Sequence, residues 1–344
     1  LHNMVTVSTI LAIALSTAPS SALAELIVHY KMDAITDVPG GHSGNSSLTK
    51  RMDDFSGNDY HGWLTIGGIA SSSDATPRTP AQHSVGDQTI VQGIIGDALN
   101  FSGFQRAVTA FDTDSITKLD QDFSNFSASV WINKSSAVPS SVVRAILGKM
   151  GFENRRGWWL HDQNVTINGI RFQTFTSTSG TSVNYQIEDP NSGDYFSPPT
   201  NQWTHLTTFD EGTVVIYVNG QARIVTGGTT SEVIAENDVH FQVGSRGDGL
   251  SQTGNRSFDG AIDDVGVWDE TLDAQTAALI HGLGRFVGVD LGSSEIGDVL
   301  TAFLAGSGNS AAAGGYLLEY TSGLSGDLGA INAGAIPDPS FYVD

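Results

Sequence analysis

Apolar and polar residues alternate with a period of two through much of the chain. Phe126, Ala128, Val130 and Ile132 fall on one face of a single segment, with Ser127 and Ser129 opposite. That is the pattern of a strand with one buried face. Two apolar-rich runs, 214–218 and 221–225, are separated by Asn219-Gly220. Asn-Gly supplies the two positive-φ positions of a type I′ turn, so the spacing predicts a β-hairpin. Further strands are predicted at 26–33, 170–175, 203–209, 239–243 and 261–268. The polar, Gly-rich stretch 38–49 and the Ser-, Thr-, Asp- and Pro-rich stretch 70–89 read as connections.

Helical spacing appears only late. Asp273 is placed to cap a short helix over 274–281, with Gly282 to end it. Ile296, Val299, Leu300, Phe303 and Leu304 recur at i, i+3, i+4, i+7 and i+8 before Gly306, predicting a second helix over 294–305. No tandem repeat is visible. The chain therefore divides into an N-terminal apolar segment (1–24), a large β domain (25–284) and a small C-terminal extension (285–344) with a Gly-, Ala- and Ser-rich tail.

Charge narrows the function classes. The 344 residues carry 37 acidic against 16 basic side chains, a formal net charge of -21. Such a surface repels nucleic acid and anionic membranes and attracts divalent cations. With no cysteine, neither a disulfide nor a thiolate metal site can form. Residues 5–15 are apolar, Pro19 and Ser20 interrupt them, and Ala22-Leu23-Ala24 offers an A-x-A cleavage site before Glu25. This reads as an export signal or a retained apolar segment, too short for a stable membrane span. A secreted or cell-surface location is expected.

Several segments, in order, carry a family resemblance. They are Tyr30-x-Met32-Asp33, Asp54-Phe55-Ser56-Gly57-Asn58 with Gly62, Gly96-Asp97-Ala98-Leu99-Asn100-Phe101-Ser102-Gly103, Phe126 to Ile132, Trp203-Thr204-His205-Leu206, Val215 to Gly220, Val243-Gly244-Ser245-Arg246 and Phe258 to Trp268. Together they resemble the LamG-like (concanavalin A-like lectin/glucanase) domains of bacterial exported proteins. Ser102 stands where that family usually has Asp. The resemblance implies an all-β fold, a two-sheet antiparallel jelly-roll sandwich, here with a short C-terminal helical extension. It leaves function open, because one sandwich hosts lectins, adhesins, enzymes and spacers.

Two constellations are candidates for chemistry. Ca²⁺ takes six to eight oxygen ligands. The turn from Asp53 to Asn58 offers such oxygens, and the family fold would bring the first strand close to the strand carrying Asp264. Asp33, Asp53, Asn58 and Asp264 are thus a candidate Ca²⁺ set. The alternative is that Asp54 and Asn58 merely cap a turn through their own backbone. Asp112-Thr113-Asp114 is a second acidic turn. Trp158-Trp159, beside Arg156 and His161, is a candidate sugar platform, since indole faces bind the apolar face of a pyranose. Alternation is expected to bury one tryptophan and expose the other. Trp63, Trp131, Trp203 and Trp268 read as core.

Catalysis is not expected. Retaining glycosidases need two carboxyl groups about 5 Å apart, and laminarinase-type relatives place theirs on alternate positions of one strand. The run 262–270 lacks paired glutamates, and Asp263-Asp264 is better explained as a bulge or hydrogen-bonding pair. His205 is expected to serve a carbonyl or carboxylate, while His29, His61 and His240 lack a histidine partner at metal-ligand spacing. Arg246-Gly247-Asp248 is a chance tripeptide in a variable loop. The expected function is a non-catalytic extracellular module recognising glycan or a surface protein. The alternatives are a self-assembling subunit of a surface layer or filament and, third, a laminarinase-type glycoside hydrolase.

Overall fold

The structure is a computed structural model. It describes residues 26–281 except 68–78, 95, 103–105, 112–113, 115, 122, 124, 152–155, 166–167, 176–181, 190–194, 211–213, 229–233, 235–238, 246–256, 273, 275–276 and 278–279. A compact unit runs from Leu26 to Phe286. The strands, in chain order, are β1 (Leu26–Tyr30), β2 (Thr36–Asp37), β3 (Lys50–Met52), β4 (Gly62–Gly67), β5 (His83–Val85), β6 (Thr89–Gln92), β7 (Asp97–Asn100), β8 (Arg106–Ala110), β9 (Phe126–Lys134) and β10 (Val142–Gly151). They continue with β11 (Arg156–Asn164), β12 (Asn168–Phe175), β13 (Ser182–Ile187), β14 (Trp203–Asp210), β15 (Val214–Val218), β16 (Gln221–Arg223), β17 (Val225–Thr226), β18 (Phe241–Val243) and β19 (Gly260–Trp268).

These form two antiparallel sheets. The eight-stranded sheet runs β16-β15-β14-β9-β19-β7-β6, with β1 also paired to β19. The eleven-stranded sheet runs β17-β13-β12-β11-β10-β18-β8-β4-β3-β2, with β5 on β4. The predicted alternation explains how they meet. Phe126, Ala128, Val130 and Ile132 of β9 join Leu206, Ile216, Ile262, Val265 and Val267 in one buried layer. Trp158, Leu160, Ile170, Phe172 and Phe241 from the other sheet belong to the same layer. Phe126 and Trp158 lie 4.3 Å apart, ring centroid to ring centroid. The fold is thus the expected two-sheet sandwich.

The Asn219-Gly220 hairpin forms as predicted, with φ of 50° and 71° and Val218 of β15 facing Gln221 of β16. Ala274, Ala277, Ile280 and His281 are helical. The expected helix over 294–305, the N-terminal segment and the C-terminal tail lie outside the described residues, as does Arg246-Gly247-Asp248. One expectation is corrected. Of the tryptophans read as core, Trp203 is only half-buried. Trp63 is buried in a separate cluster with Leu48 and Phe111. Register places Trp131 of β9 opposite Asp263 and Trp268 of β19 opposite Ser127, outside the layer between the sheets. Trp158 alone among the described tryptophans joins the layer between the sheets.

Replacing Trp158 by Ala is expected to cost about 3–5 kcal/mol in a urea denaturation series, as for other large-to-small changes in packed interiors. Ile224→Ala, at a residue 68% exposed, is expected to move stability by less than about 0.5 kcal/mol. Equal effects at both positions would contradict this placement of the core.

Candidate functional site

The acidic turn folds inward on its own backbone. Asp54 accepts from the backbone N–H groups of His29 (2.9 Å), Ser56 (3.0 Å) and Tyr60 (3.0 Å), and from Ser56 Oγ (2.7 Å). Asn58 Nδ2 donates to the carbonyls of Leu26 and Ile27, and its Oδ1 accepts from Lys118 Nζ at 2.7 Å. Asp53 accepts from Thr36 Oγ1 (2.6 Å) and Arg51 Nε (2.7 Å). Asp33 accepts from the backbone N–H of Asp97 at 3.0 Å. These oxygens receive the chain's own donors, including one ammonium and one guanidinium, so they do not converge as a ligand shell. Among the described residues no group of three or more His, Asp or Glu could hold a metal ion. The expected Ca²⁺ set of Asp33, Asp53, Asn58 and Asp264 is therefore not assembled, and the turn-capping alternative describes this segment.

Asp264 lies in a bulge of β19, where the register with β9 shifts between Asp263 and Gly266. Its φ of 46° is a left-handed conformation that non-glycine residues seldom adopt. The bulge turns both aspartates into the fold. Asp264 Oδ1 meets His29 Nε2 at 3.1 Å, and Asp263 Oδ2 accepts from the backbone N–H of Ile94 at 3.0 Å. A bulge was the expected explanation of this pair. In the second acidic turn, Asp114 lies 2.8 Å from His42 Nε2. Gly44 N–H donates to His42 Nδ1, which fixes the proton on Nε2 and makes Asp114 its acceptor.

Trp158 and Trp159 point to opposite faces of their sheet, as alternation requires. Neither is exposed, however: Trp158 is 1% and Trp159 5% accessible, which corrects the expectation of one open indole. Trp158 belongs to the layer between the sheets. Trp159 packs with Ala145, Met150 and Phe175 on the outer face, its ring stacked on His161 at 3.9 Å and its indole N–H donating to Gln173 Oε1. Arg156 is exposed at the start of β11.

The outer face of β11–β13 nonetheless gathers a recognisable set of side chains. Register aligns Trp159 with Gln173 and Asn184 in one cross-strand row, and His161 with Arg171 and Gln186 in the next. Gln186 Oε1 accepts from Arg171 Nε at 3.1 Å and from Nη2, and its Nε2 donates to Tyr195 Oη at 3.3 Å, an amide orientation assigned from these neighbours. Tyr195 reaches this point because Gly169 has no side chain: a Cβ there would lie 3.2 Å from Tyr195 Cβ and 2.5 Å from the Phe196 carbonyl. Arg171, Gln173, Asn184 and Tyr195 are half-buried. Burial holds the Arg171 guanidinium below its usual pKa, against the pull of Tyr195. The arrangement offers amide donors and acceptors, a phenol, a guanidinium and an indole edge on one side of a rigid sheet. Sequence predicts the strand at 170–175 but does not single out Arg171 or Gln173, and it misses 182–187, where the alternation of Val183, Tyr185 and Ile187 with Asn184 and Gln186 is the signal that could have found their neighbours.

The polar face of β9 is also covered. Ser127 Oγ donates to the Glu270 carbonyl at 2.7 Å and accepts from Leu272 N–H at 2.9 Å, tying down the segment that leads into the helical residues. His205 serves a hydroxyl, Ser129 Oγ at 2.8 Å, and not the carbonyl or carboxylate expected. Trp131 lies between His205 (4.8 Å) and His281 (5.3 Å, stacked). Burial, and for His205 also the neighbouring His281, holds both imidazoles below the usual histidine pKa.

Residues 108–278 match the family model of the concanavalin A-like lectin/glucanases superfamily, a stretch that runs from within β8 past β19 and contributes strands to both sheets. The chain carries a concanavalin A-like lectin/glucanase domain. No curated protein matches the chain. Among solved structures, this concanavalin A-like domain is similar to domain 4 of AbnA, a GH43 extracellular arabinanase from Geobacillus stearothermophilus, in complex with arabinotriose. The identity is 19% and the TM-score 0.49, with 75% of this chain and 99% of the other covered. It is similar also to the binding domain of Paraclostridial Mosquitocidal Protein 1 (13% identity, TM-score 0.47, 75% and 52% covered). A third likeness is the botulinum neurotoxin serotype D ligand binding domain in complex with N-acetylneuraminic acid (14%, TM-score 0.44, 75% and 50% covered). The chain spans about half the length of these two toxin chains. Among the described residues no helix is long and apolar enough to cross a membrane.

Two expectations follow for the concanavalin A-like domain. Excess chelator is expected to leave its melting temperature where Ca²⁺-loaded buffer puts it. A Ca²⁺-dependent rise would show a ligand set that these contacts do not form, since saturation at 100 times Kd would add about 2.7 kcal/mol. His205 and His281, with pKa values depressed in the fold, bind protons more readily in the unfolded chain. Their contribution is complete above the unfolded value of about 6.5 and is lost as pH falls below it. Thermal melts from pH 7.5 to 5 are expected to show this loss, with a shallower slope in His281→Gln; parallel curves would contradict it.

Proposed function

We propose that this is a non-catalytic, extracellular glycan-recognition module whose binding surface is the outer face of β11–β13. Two half-buried side-chain amides, Gln173 and Asn184, with the Arg171 guanidinium and the Tyr195 phenol, on adjacent rows of one sheet and backed by the buried Gln186 amide and Trp159 indole, carry this reading. Sugars present hydroxyls that both donate and accept. Side-chain amides answer with both functions, and few but well-placed polar groups beside aromatic surface are what fix a ligand's orientation. Strands hold those groups more rigidly than loops do. Domains of this family are typically extracellular, in keeping with the acidic, cysteine-free composition. A non-catalytic role is supported by the engagement of Asp263 and Asp264 with Ile94 and His29 inside the bulge.

A glycan array followed by calorimetry tests the proposal. Gln173→Ala and Asn184→Ala are each expected to weaken the bound glycan about 2- to 13-fold, the loss of one or two ordinary hydrogen bonds, with unchanged melting. A domain that binds no glycan, or variants that bind as the parent does, would overturn the reading. Release of reducing ends from any β-glucan, abolished by Asp264→Asn, would favour the hydrolase instead.

A further inference from the structure

We infer that the glycan taken by this face carries a carboxylate, on the sugar that meets Arg171. The inference rests on the glycan-binding reading above and deepens it. Acidic side chains outnumber basic ones 37 to 16 in this chain, and three of the six described arginines hold an aspartate. Arg51 holds Asp53 at 2.7 Å, Arg106 holds Asp87 at 2.6 Å and Arg144 holds Asp259 at 3.3 Å. Arg156 is exposed to water, and Arg223 lies on edge strand β16 of the other sheet. Arg171 is half-buried, and among the described residues its hydrogen-bond partner is the Gln186 amide, itself bonded to the Tyr195 phenol, with no carboxylate at ion-pair distance. A guanidinium withdrawn from water in so acidic a chain, and held by neutral groups, retains its capacity for an anion.

Geometry selects the anion. Gln186 engages Nε and Nη2 of Arg171. The end of the fork, Nη1 and the second hydrogen of Nη2, remains as a pair of parallel donors, and a planar carboxylate meets such a pair with two charge-assisted hydrogen bonds. Gln173 and Asn184 in the adjacent row are neutral and half-buried, suited to the remaining hydroxyls. Charge limits the ligand further. At physiological salt, fields are screened over about 8 Å, so one carboxylate is served by Arg171 alone. A long polyanion would instead meet a surface of net charge -21. The ligand class is therefore an otherwise neutral oligosaccharide bearing a single acidic sugar, a uronic or a sialic acid.

The probes are oligosaccharides ending in glucuronate or in N-acetylneuraminate, with their methyl esters and the uncapped neutral oligosaccharides. The free acids are expected to bind roughly 10- to 100-fold tighter than their esters, the worth of a hydrogen-bonded ion pair. Arg171→Gln is expected to erase that preference, so that each acid binds no tighter than its ester. Arg171→Lys, which keeps the charge and loses the fork, is expected to restore only part of it. Unchanged thermal melts of both variants would exclude misfolding. Equal binding of acid and ester by the parent overturns the carboxylate inference and leaves the glycan reading standing. Absence of binding to every oligosaccharide, neutral or acidic, overturns both. Heparin bound more tightly than either single-acid probe would replace the carboxylate with a polyanion and also overturn the inference.

Discussion

Two sheets stay face to face only while every strand keeps turning alternate side chains into one apolar layer, and the Phe126–Trp158 contact lies in that layer. A slip of one residue in β9 or β11 would exchange their inward and outward sides. For β11 it would bring Trp159 and His161 inward and send Trp158 and Leu160 outward. The same constraint therefore secures the interior and sets the composition of both outer faces. Lys134 and Asp162 add a polar tie across the interior, with Nζ 2.9 Å from Oδ2 and both side chains almost fully buried. Desolvation raises the Asp162 pKa even though Lys134 opposes it. This tie specifies which strands face each other more than it stabilises them, since a buried ion pair costs about as much to desolvate as it returns.

Fixed alternation also explains why the outer faces differ. On the eight-stranded sheet, Ser127, Ser129, Trp131 and His205 are polar or amphipathic by pattern, yet the segment leading to His281 covers them and uses their groups as anchors. On β11–β13 the outward set is richer in amides and stays half open at Arg171, Gln173, Asn184 and Tyr195. A ligand needs the second kind of face, because groups already joined to the protein's own backbone have little left to offer.

Much of the architecture was legible because alternation and turn chemistry are local. Phe126 to Ile132, the Asn219-Gly220 hairpin and the Asp263-Asp264 bulge behave as their residues require. The site was less legible, for a physical reason. Whether a polar or aromatic side chain is open depends on which distant segment lies over it, and local pattern does not carry that. Trp159 alternates outward as expected but is enclosed by Ala145, Met150, Phe175 and His161. Asp53 and Asn58 look like metal donors until Arg51 and Lys118 are seen to hold their oxygens. Arg171, by contrast, was visible as a polar position on a predicted strand. What marks it out is a negative fact, the lack of a carboxylate nearby among the described residues, and only the pairing of β12 with β13 reveals that.

The same comparison separates Arg171 from the other buried cations as a matter of energetics. Lys134 and Arg144 are neutralised by Asp162 and Asp259. Removing Asp162 would strand the buried Lys134 ammonium at a cost of about 3–5 kcal/mol, so that pair is bound to the fold. Arg171 is already held without a countercharge, by the Gln186 amide that Tyr195 in turn anchors, and the fold tolerates it because the residue is only half-buried. Bringing an anion to that side neutralises the guanidinium without dismantling any internal pair. An extra charge beside Lys134 would have to displace Asp162. Among the described half-buried and buried cations, Arg171 is therefore one that can accept an anionic group without loss of an internal ion pair.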